Sequence, residues 1–554
     1  MVLGLASPEI PYNRQNMFTR WTKRAAVQFR QASALAPDAA VAPNGRSLAP
    51  SQTASLLPAG PRRLAPAGSH CALAEHLPSM LDSPSPAAVR LDFLPPPPFA
   101  GGRMLRMTAA RGLVLFNYDW DQVGYGRWSS EFSLDSEGFD LFSFPSNAHL
   151  VTFDLQRFVD RLAARAVRRG WCAVTSNHEQ FGTLAAALLA ERMGWPGTPV
   201  AAVLACQHKL HARRVLEEVA PEANTPFALL ESGYGDPVPD YLGYPRFVKP
   251  IKAAFSVLAR VVHDRDELMA LTRFGFWELW VIRHLVEPFE RVVKARLPEA
   301  GSAHRMLLEQ PVNASQYNLD GYVFEGELRP LGFVESVMYP GTQAFMRFDY
   351  PCQLNEPGRA QALDVARRFL SAVGFTHGLF NMEFFHDPVT EKLTVIEFNP
   401  RMAAQFSDLY LRVDGVDLHR LGLELAFGRD PALLPRAEPA AGAAASFVYR
   451  CFDPAERPAM PGAAQRAALA ECFPDALLFR FAKSHGQIAR DFKWLGSYRY
   501  GILHLGGQDA RDLRERCLAA SELLGWPAPY AWHPAKTHAP AGYLTPGFSM
   551  ETPQ

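Results

Sequence analysis

The segment from Asn381 to Arg401, N-M-E-F-F-H-D-P-V-T-E-K-L-T-V-I-E-F-N-P-R, constrains the fold of this chain more than any other. Two runs that alternate polar with apolar residues flank a turn containing Asp387 and Pro388, which is the pattern of a β-hairpin. With Thr390 at the turn centre, Glu383 falls opposite Glu397 and Asn381 opposite Asn399. Met382, Phe384, Ile396 and Phe398 then take the other face. One face is acidic and amidic, the other apolar. A one-residue slip would separate the two glutamates, so the inference depends on register. Two carboxylates and an amide oxygen that converge repel one another unless a cation lies between them, and hard oxygen donors suit Mg²⁺ or Mn²⁺. The same spacing also describes a solvated sheet face with ordinary charges, and spacing alone leaves both readings open.

The chain before this segment reads as α/β and then as α+β. Leu113 to Phe116 is a short apolar run of the kind found in buried parallel strands. Asp154 precedes a helical pattern with Leu155, Phe158, Val159 and Leu162 on one face, and Cys172 to Thr175 predicts another strand ahead of a helix from Phe181 to Met193. Alternating strand and helix is an α/β signal. From Arg246 onward the strands crowd together at Phe247–Lys249, Ser256–Val262, Met306–Leu308, Tyr317–Phe324 and Gly332–Met338, as antiparallel hairpins require. Pro431 to Ala445 is rich in Ala and Pro and reads as a linker. Strands at Ser446–Arg450, Leu477–Phe481 and Tyr500–Leu505, with a helix carrying Ala510, Leu513, Cys517 and Ala520 on one face, predict a small α/β domain over 446–530 and a tail over 531–554. Residues 1–105 hold 15 of the 46 prolines and little hydrophobic period, so a disordered leader is expected there.

Charge excludes some functions. Lys plus Arg equals Asp plus Glu at 56 each, so no bulk field draws nucleic acid or an acidic membrane. Seven cysteines occur without a C-x-x-C pair, against a zinc module or a disulfide framework, and a reducing cytoplasm is the expected setting. No uncharged stretch approaches the roughly 20 residues needed to cross a bilayer.

Two lysines are placed for anions. In F-V-K-P, Phe247 to Pro250, Lys249 ends an apolar strand and either snorkels to solvent or meets an anion. Lys209, in C-Q-H-K-L-H-A-R-R, opens a helix. His178-Glu179 does not begin an H-E-x-x-H motif, because position 182 is Gly.

With E-F-N-P-R on one strand, a glutamate on its hairpin partner and F-V-K-P upstream, the chain resembles the ATP-grasp superfamily over roughly Leu113 to Leu524. The resemblance implies an ATP-grasp fold with an α/β pre-ATP-grasp domain at 106–205, a nucleotide-binding and catalytic domain at 206–430 and the small C-terminal domain. It implies ATP and Mg²⁺ (or Mn²⁺) as cofactors, with Glu383, Glu397 and Asn399 holding metal and Arg401 steadying the phosphates or an acyl phosphate. Lys209 and Lys249 match the family's nucleotide-contacting lysines. The family's Gly-rich phosphate loop is replaced by I-K-A-A-F-S-V-L, which keeps Ser256 but lacks the glycines, and Lys252 adds a point charge. Leu307 to Val312 resemble the adenine hinge, with Glu309 and Val312 toward the base, and Gln316 stands where the family often carries a ribose-binding Glu.

The activity implied is that of a ligase acting on small-molecule carboxylate and amine substrates. The acid is activated as an acyl phosphate and attacked by an amine, releasing ADP and phosphate. Biotin-carboxylase-like activation of bicarbonate and a non-catalytic ATP-binding regulatory protein are the alternatives. After Arg401 the run M-A-A-Q-F-S-D-L-Y departs from the Gly-rich sequence of related ligases, so the acid and the amine stay unnamed.

Overall fold

The short apolar runs at the start of the ordered chain pair as parallel strands, because each is followed by a helix that carries the chain back across the sheet. In a computed structural model, which describes residues 110–141, 146–232, 236, 238, 243–253 and 258–531, β1 (Ala110–Leu115), β2 (Phe132–Glu137) and β3 (Val174–Thr175) form a parallel sheet in the order β2-β1-β3. The helix Leu155–Arg169 begins at Asp154, whose carboxylate accepts from the Arg157 N–H, and ends at Gly170 in the left-handed conformation. Its apolar stripe, Leu155, Phe158, Val159 and Leu162, is buried against this layer. The described residues belong to one compact unit; the expected leader, residues 1–105, and residues 532–554 of the expected tail lie outside the described residues.

Two antiparallel sheets follow. The smaller has the order β4-β7-β5-β6, from β4 (Phe227–Leu230), β5 (Arg246–Pro250), β6 (Arg260–Val262) and β7 (Met306–Glu309). The larger has eight strands: β8 (Ser315–Phe324), β9 (Glu327–Met338), β10 (Phe345–Tyr350), β11 (Gly378–Asp387), β12 (Lys392–Asn399), β13 (Ala443–Cys451), β14 (Leu477–Arg480) and β15 (Tyr498–Gly507). Their order is β12-β11-β8-β9-β10-β13-β15-β14. The C-terminal strands therefore extend the same sheet, and β13 begins within the stretch whose composition reads as a linker. The reason is that β13 is apolar on both faces: Ala445, Phe447 and Tyr449 pack under the helix Ala510–Leu524, while Ala444 and Val448 face the opposite side. A strand buried on both faces needs a neighbour on each edge, and β10 and β15 supply them.

The helix Glu356–Ala372 covers the apolar face of the β11–β12 hairpin. Phe369 stacks on Phe398 with ring centroids 3.9 Å apart, and Met382 and Phe384 are fully buried in the same cluster. This burial commits the opposite, polar face of the hairpin to the cleft. Among the described residues no helix is long and apolar enough to cross a membrane.

Candidate active site

The hairpin takes the expected register where the polar residues lie: Asn381 pairs with Asn399 and Glu383 with Glu397. Beyond that pair the register shifts, so that Phe384 opposes Val395 and Ile396 is left without a partner residue. Ile396, expected on the apolar face, is the extra residue of a β-bulge and is half-buried. The bulge lies on β12, the edge strand, where it exposes two backbone carbonyls. Arg213 donates to Val395 O at 2.7 Å and to Ile396 O at 3.2 Å, and Lys249 Nζ donates to Ile396 O at 3.2 Å.

Four oxygen-bearing side chains converge on the polar face. Asn399 Nδ2 lies 3.3 Å from Asn381 Oδ1, 3.3 Å from Glu383 Oε1 and 3.4 Å from Glu397 Oε1. Gln316 Nε2 donates to Glu383 Oε2 at 3.0 Å, which sets Gln316 beside the carboxylates. Among the described residues no group of three or more His, Cys, Asp or Glu is arranged to hold a metal, so the candidate set is two carboxylates with neighbouring amides. Hard oxygens gathered round one point fit Mg²⁺ or Mn²⁺ in kind.

Cations surround this set. Lys209 Nζ is 3.0 Å from Glu397 Oε2 and donates to Ala253 O at 3.1 Å. Lys249 Nζ is 3.0 Å from Glu309 Oε1, and Arg213 Nε donates to the same oxygen at 2.6 Å. Glu309 is thus already engaged by two cations. Val312 follows it, half-buried, in the connection to β8. Ser256 lies outside the described residues. Arg401 donates to Glu179 Oε2 at 2.6 Å.

The charges respond to this crowding. Burial, and then the negative charge of Glu397, pushes the Glu383 carboxyl well above the usual carboxylate range. Burial would raise Glu397 as well, but Lys209 and Lys249 outweigh it and hold that carboxyl below its usual range. Burial lowers Lys249 to about 8 and Lys252 to about 7.

Glu179 and Arg213 are the residues that sequence reasoning passed over. Glu179 belongs to Ser176–Gln180, five consecutive polar residues, all buried. They follow β3 directly, and Asn117 and Tyr118 follow β1. Because β2 and β3 lie on opposite sides of β1, these loops flank the point where strand order reverses, the usual crevice of an open parallel sheet. A polar run at that place was the available signal. Arg213 has little local signal, since apart from Asn224 its side-chain partners are 96 or more residues away. A cavity of about 130 Å³ opens between these loops and the large sheet, lined by Tyr118, Trp120, Glu179, Asn381, Glu383 and Arg401 among others. The indole Nε1 of Trp120 is buried without a hydrogen-bond partner among the described residues.

No family model matches the chain. It is 27% identical over 297 residues to carnosine synthase 1 of Gallus gallus, covering 51% of this chain and 30% of that protein. It is 28% identical over 199 residues to the carbamoyl phosphate synthase large chain of Pseudothermotoga lettingae, covering 34% of this chain and 15% of that one. The chain spans less than a third of the length of these curated relatives. An L-amino acid ligase from Bacillus licheniformis superimposes with a TM-score of 0.55 at 16% identity, over 75% of this chain and 98% of that one. A carboxyaminoimidazole ribonucleotide synthase from Aspergillus clavatus complexed with ATP does so with a TM-score of 0.51 at 14% identity, again over 75% and 98%. Two antiparallel sheets, one carrying the buried Lys249 and the other the E-F-N-P-R hairpin, flank the site. The chain has the ATP-grasp fold that it shares with these solved structures.

Proposed function

We propose that this protein is an ATP-dependent carboxylate–amine ligase that forms an acyl phosphate and releases ADP and phosphate. The observation that carries the reading is the gathering of Lys209, Lys249, Lys252 and Arg401 around the Glu383–Glu397 pair at the wall of a cavity. A carboxylate is a poor electrophile because its leaving group would be oxide; phosphorylation converts that group into phosphate. The protein's task is then to position the reactants and offset moving charge.

Lys209, Lys249 and Lys252 bind the polyphosphate from the side of the small sheet. Glu383, Glu397 and the neighbouring amide oxygens would hold Mg²⁺, which when bound neutralises charge on the phosphates. Arg401 borders the cavity and meets the charge that develops on the transferred phosphoryl group. Glu179, held on Arg401, fixes that guanidinium while no substrate is present. The likeness to proteins named carnosine synthase and L-amino acid ligase directs the substrate search to amino acids.

The test is release of ADP and orthophosphate across pairs of amino acids, with hydroxylamine trapping the acyl phosphate as a hydroxamate. Glu397→Gln should keep the wild-type circular dichroism spectrum and lose at least about 100-fold in turnover. AMP and pyrophosphate as products would contradict γ-phosphoryl transfer. A requirement for bicarbonate and biotin would move the assignment to bicarbonate activation, and ATP binding without turnover over a broad panel would move it to a regulatory protein.

A further inference from the structure

Away from the paired glutamates, the large sheet carries a second charged cluster that the proposed chemistry does not use. Arg450 on β13 and Arg499 on β15 are direct cross-strand partners. Like charges in that relation repel, and a protein interior weakens the repulsion less than water does. A third cation, Lys483, lies beside them. The carboxylate facing all three is Asp491, and Lys483 binds it directly.

Both arginines are half-buried, and neither guanidinium has a full set of protein partners. Arg450 donates to Ser497 Oγ at 3.0 Å, but its Nε is buried without a partner. The Arg499 side chain makes no hydrogen bond or ion pair among the described residues; its guanidinium stacks on Phe481, 4.4 Å from the ring centroid. Burial lowers both arginines, Arg499 to about 10 with the charge of Arg450 adding to the effect. Two guanidinium groups and the Lys483 ammonium around one shared carboxylate leave an excess of about two positive charges, which folding alone does not favour.

The pair lies on the sheet face that carries Ser446, beside the cavity. Side chains alternate along a strand, so Arg450 shares a face with Val448 and Ser446. Ser446 Oγ accepts from Gln405 Nε2 at 2.8 Å, and Gln405 lines the cavity. Tyr118, another wall of the cavity, lies close enough to Arg499 for each to sense the other's charge. Arg450 stands four residues from Ser446, roughly 13 Å along the strand.

We infer that Arg450 and Arg499 form an oxyanion subsite that binds a carboxylate or phosphate group carried by the second substrate, the amine. This rests on the ligase reading for the identity of the molecule, though not for the existence of the site. Guanidinium forks match both oxyanions, and the partners left open are the donors such a group would occupy.

Titration calorimetry of the full chain with malonate and with inorganic phosphate, in the presence of saturating MgADP, tests the site without turnover. Wild type should bind one of the two, which also identifies the oxyanion. R499Q should lose at least 10-fold in that affinity while R511Q, a solvent-exposed arginine, does not. Circular dichroism and R499K serve as folding controls. Affinity equal in wild type and R499Q, or no binding of either anion by wild type, overturns the subsite. Where a productive amine is found, its free acid should be preferred over its amide, and R499Q should abolish that preference through KM. An equal loss on acid and amide overturns the assignment to the second substrate. Absence of turnover with every pair sinks the ligase reading while leaving the calorimetric result to decide the site.

Discussion

Lys252 is an ammonium whose hydrogen-bond partners in the described structure are neutral. Its Nζ donates to Glu179 O at 3.1 Å and Gln207 Oε1 at 3.0 Å, and it lies 4.9 Å from the Phe289 ring centroid. Burial holds it down at about 7. A bound polyphosphate favours the charged form and raises this value, so nucleotide binding takes up a proton at any pH between the free and bound values. The free lysine is proton-poor above about 7, and affinity should therefore fall as pH rises from there. At pH 8 the uptake should reach about 0.9 proton from Lys252 if the nucleotide restores its ordinary range. Calorimetry of ADP without metal, in buffers of different ionisation enthalpy, measures it directly. Lys252→Met should remove most of the uptake, and a proton count near zero in wild type would contradict the placement of phosphate beside this lysine. In the sequence Lys252 is legible only as an extra charge near a strand end. Its environment comes from Glu179 and Gln207, 73 and 45 residues away, and no local pattern records such distances. Glu179 does not belong to a zinc motif, but a buried polar run after a parallel strand has its own physical meaning.

At the scale of elements, the hairpin is the part most fully written in the sequence. Alternation with a period of two gives both strands, and the apolar residues under the helix Glu356–Ala372 set the register as far as the Glu383–Glu397 pair. The bulge is not legible, because Val395 and Ile396 are both apolar and an extra apolar residue does not interrupt the pattern. Its consequence is the attachment of the small sheet to the edge of the large one through Arg213. This side chain, 4% exposed, binds Glu309, Asn224 and the two carbonyls that the bulge exposes. Removing it leaves Glu309 with Lys249 alone and strips two carbonyls of a donor. Breaking such a buried pair costs about 3–5 kcal/mol. Arg213→Met should accordingly shift the denaturant midpoint strongly, and Arg213→Lys should recover only part, since an ammonium cannot reproduce the fork. A change below about 1 kcal/mol would show that the two sheets are held together elsewhere.

Over the whole molecule, strands distant in sequence make one sheet, and pattern reading had no means to join β10 to β13 across the intervening residues. That continuity brings the helix His485–Leu495 to the far side of the small sheet. Arg260 of β6 donates to Lys493 O at 3.0 Å and to Trp494 O at 3.2 Å, Lys493 pairs with Glu278, and Trp494 packs with Leu258, Val262 and Leu271. The small sheet is therefore attached twice: at one side through Arg213, Lys249 and Lys209 to β12, at the other through Arg260 to the C-terminal helix. The two attachments differ in kind. The first is buried and strongly coupled; the second consists of partly exposed polar bonds and one half-buried ring, each contributing about 0–1 kcal/mol where exposed. Opening of the cleft should therefore begin at the second attachment, with the first acting as the hinge. Arg260→Ala should speed amide exchange in β6 and in the helix His485–Leu495 and leave β12 protected. It should raise the nucleotide KM about 3- to 10-fold, equivalent to about 0.7–1.4 kcal/mol, with little change in melting temperature. Exchange rising equally in β12 would mean that the sheet separates as a unit, and unchanged exchange in β6 would mean that the C-terminal helix takes no part in holding the cleft.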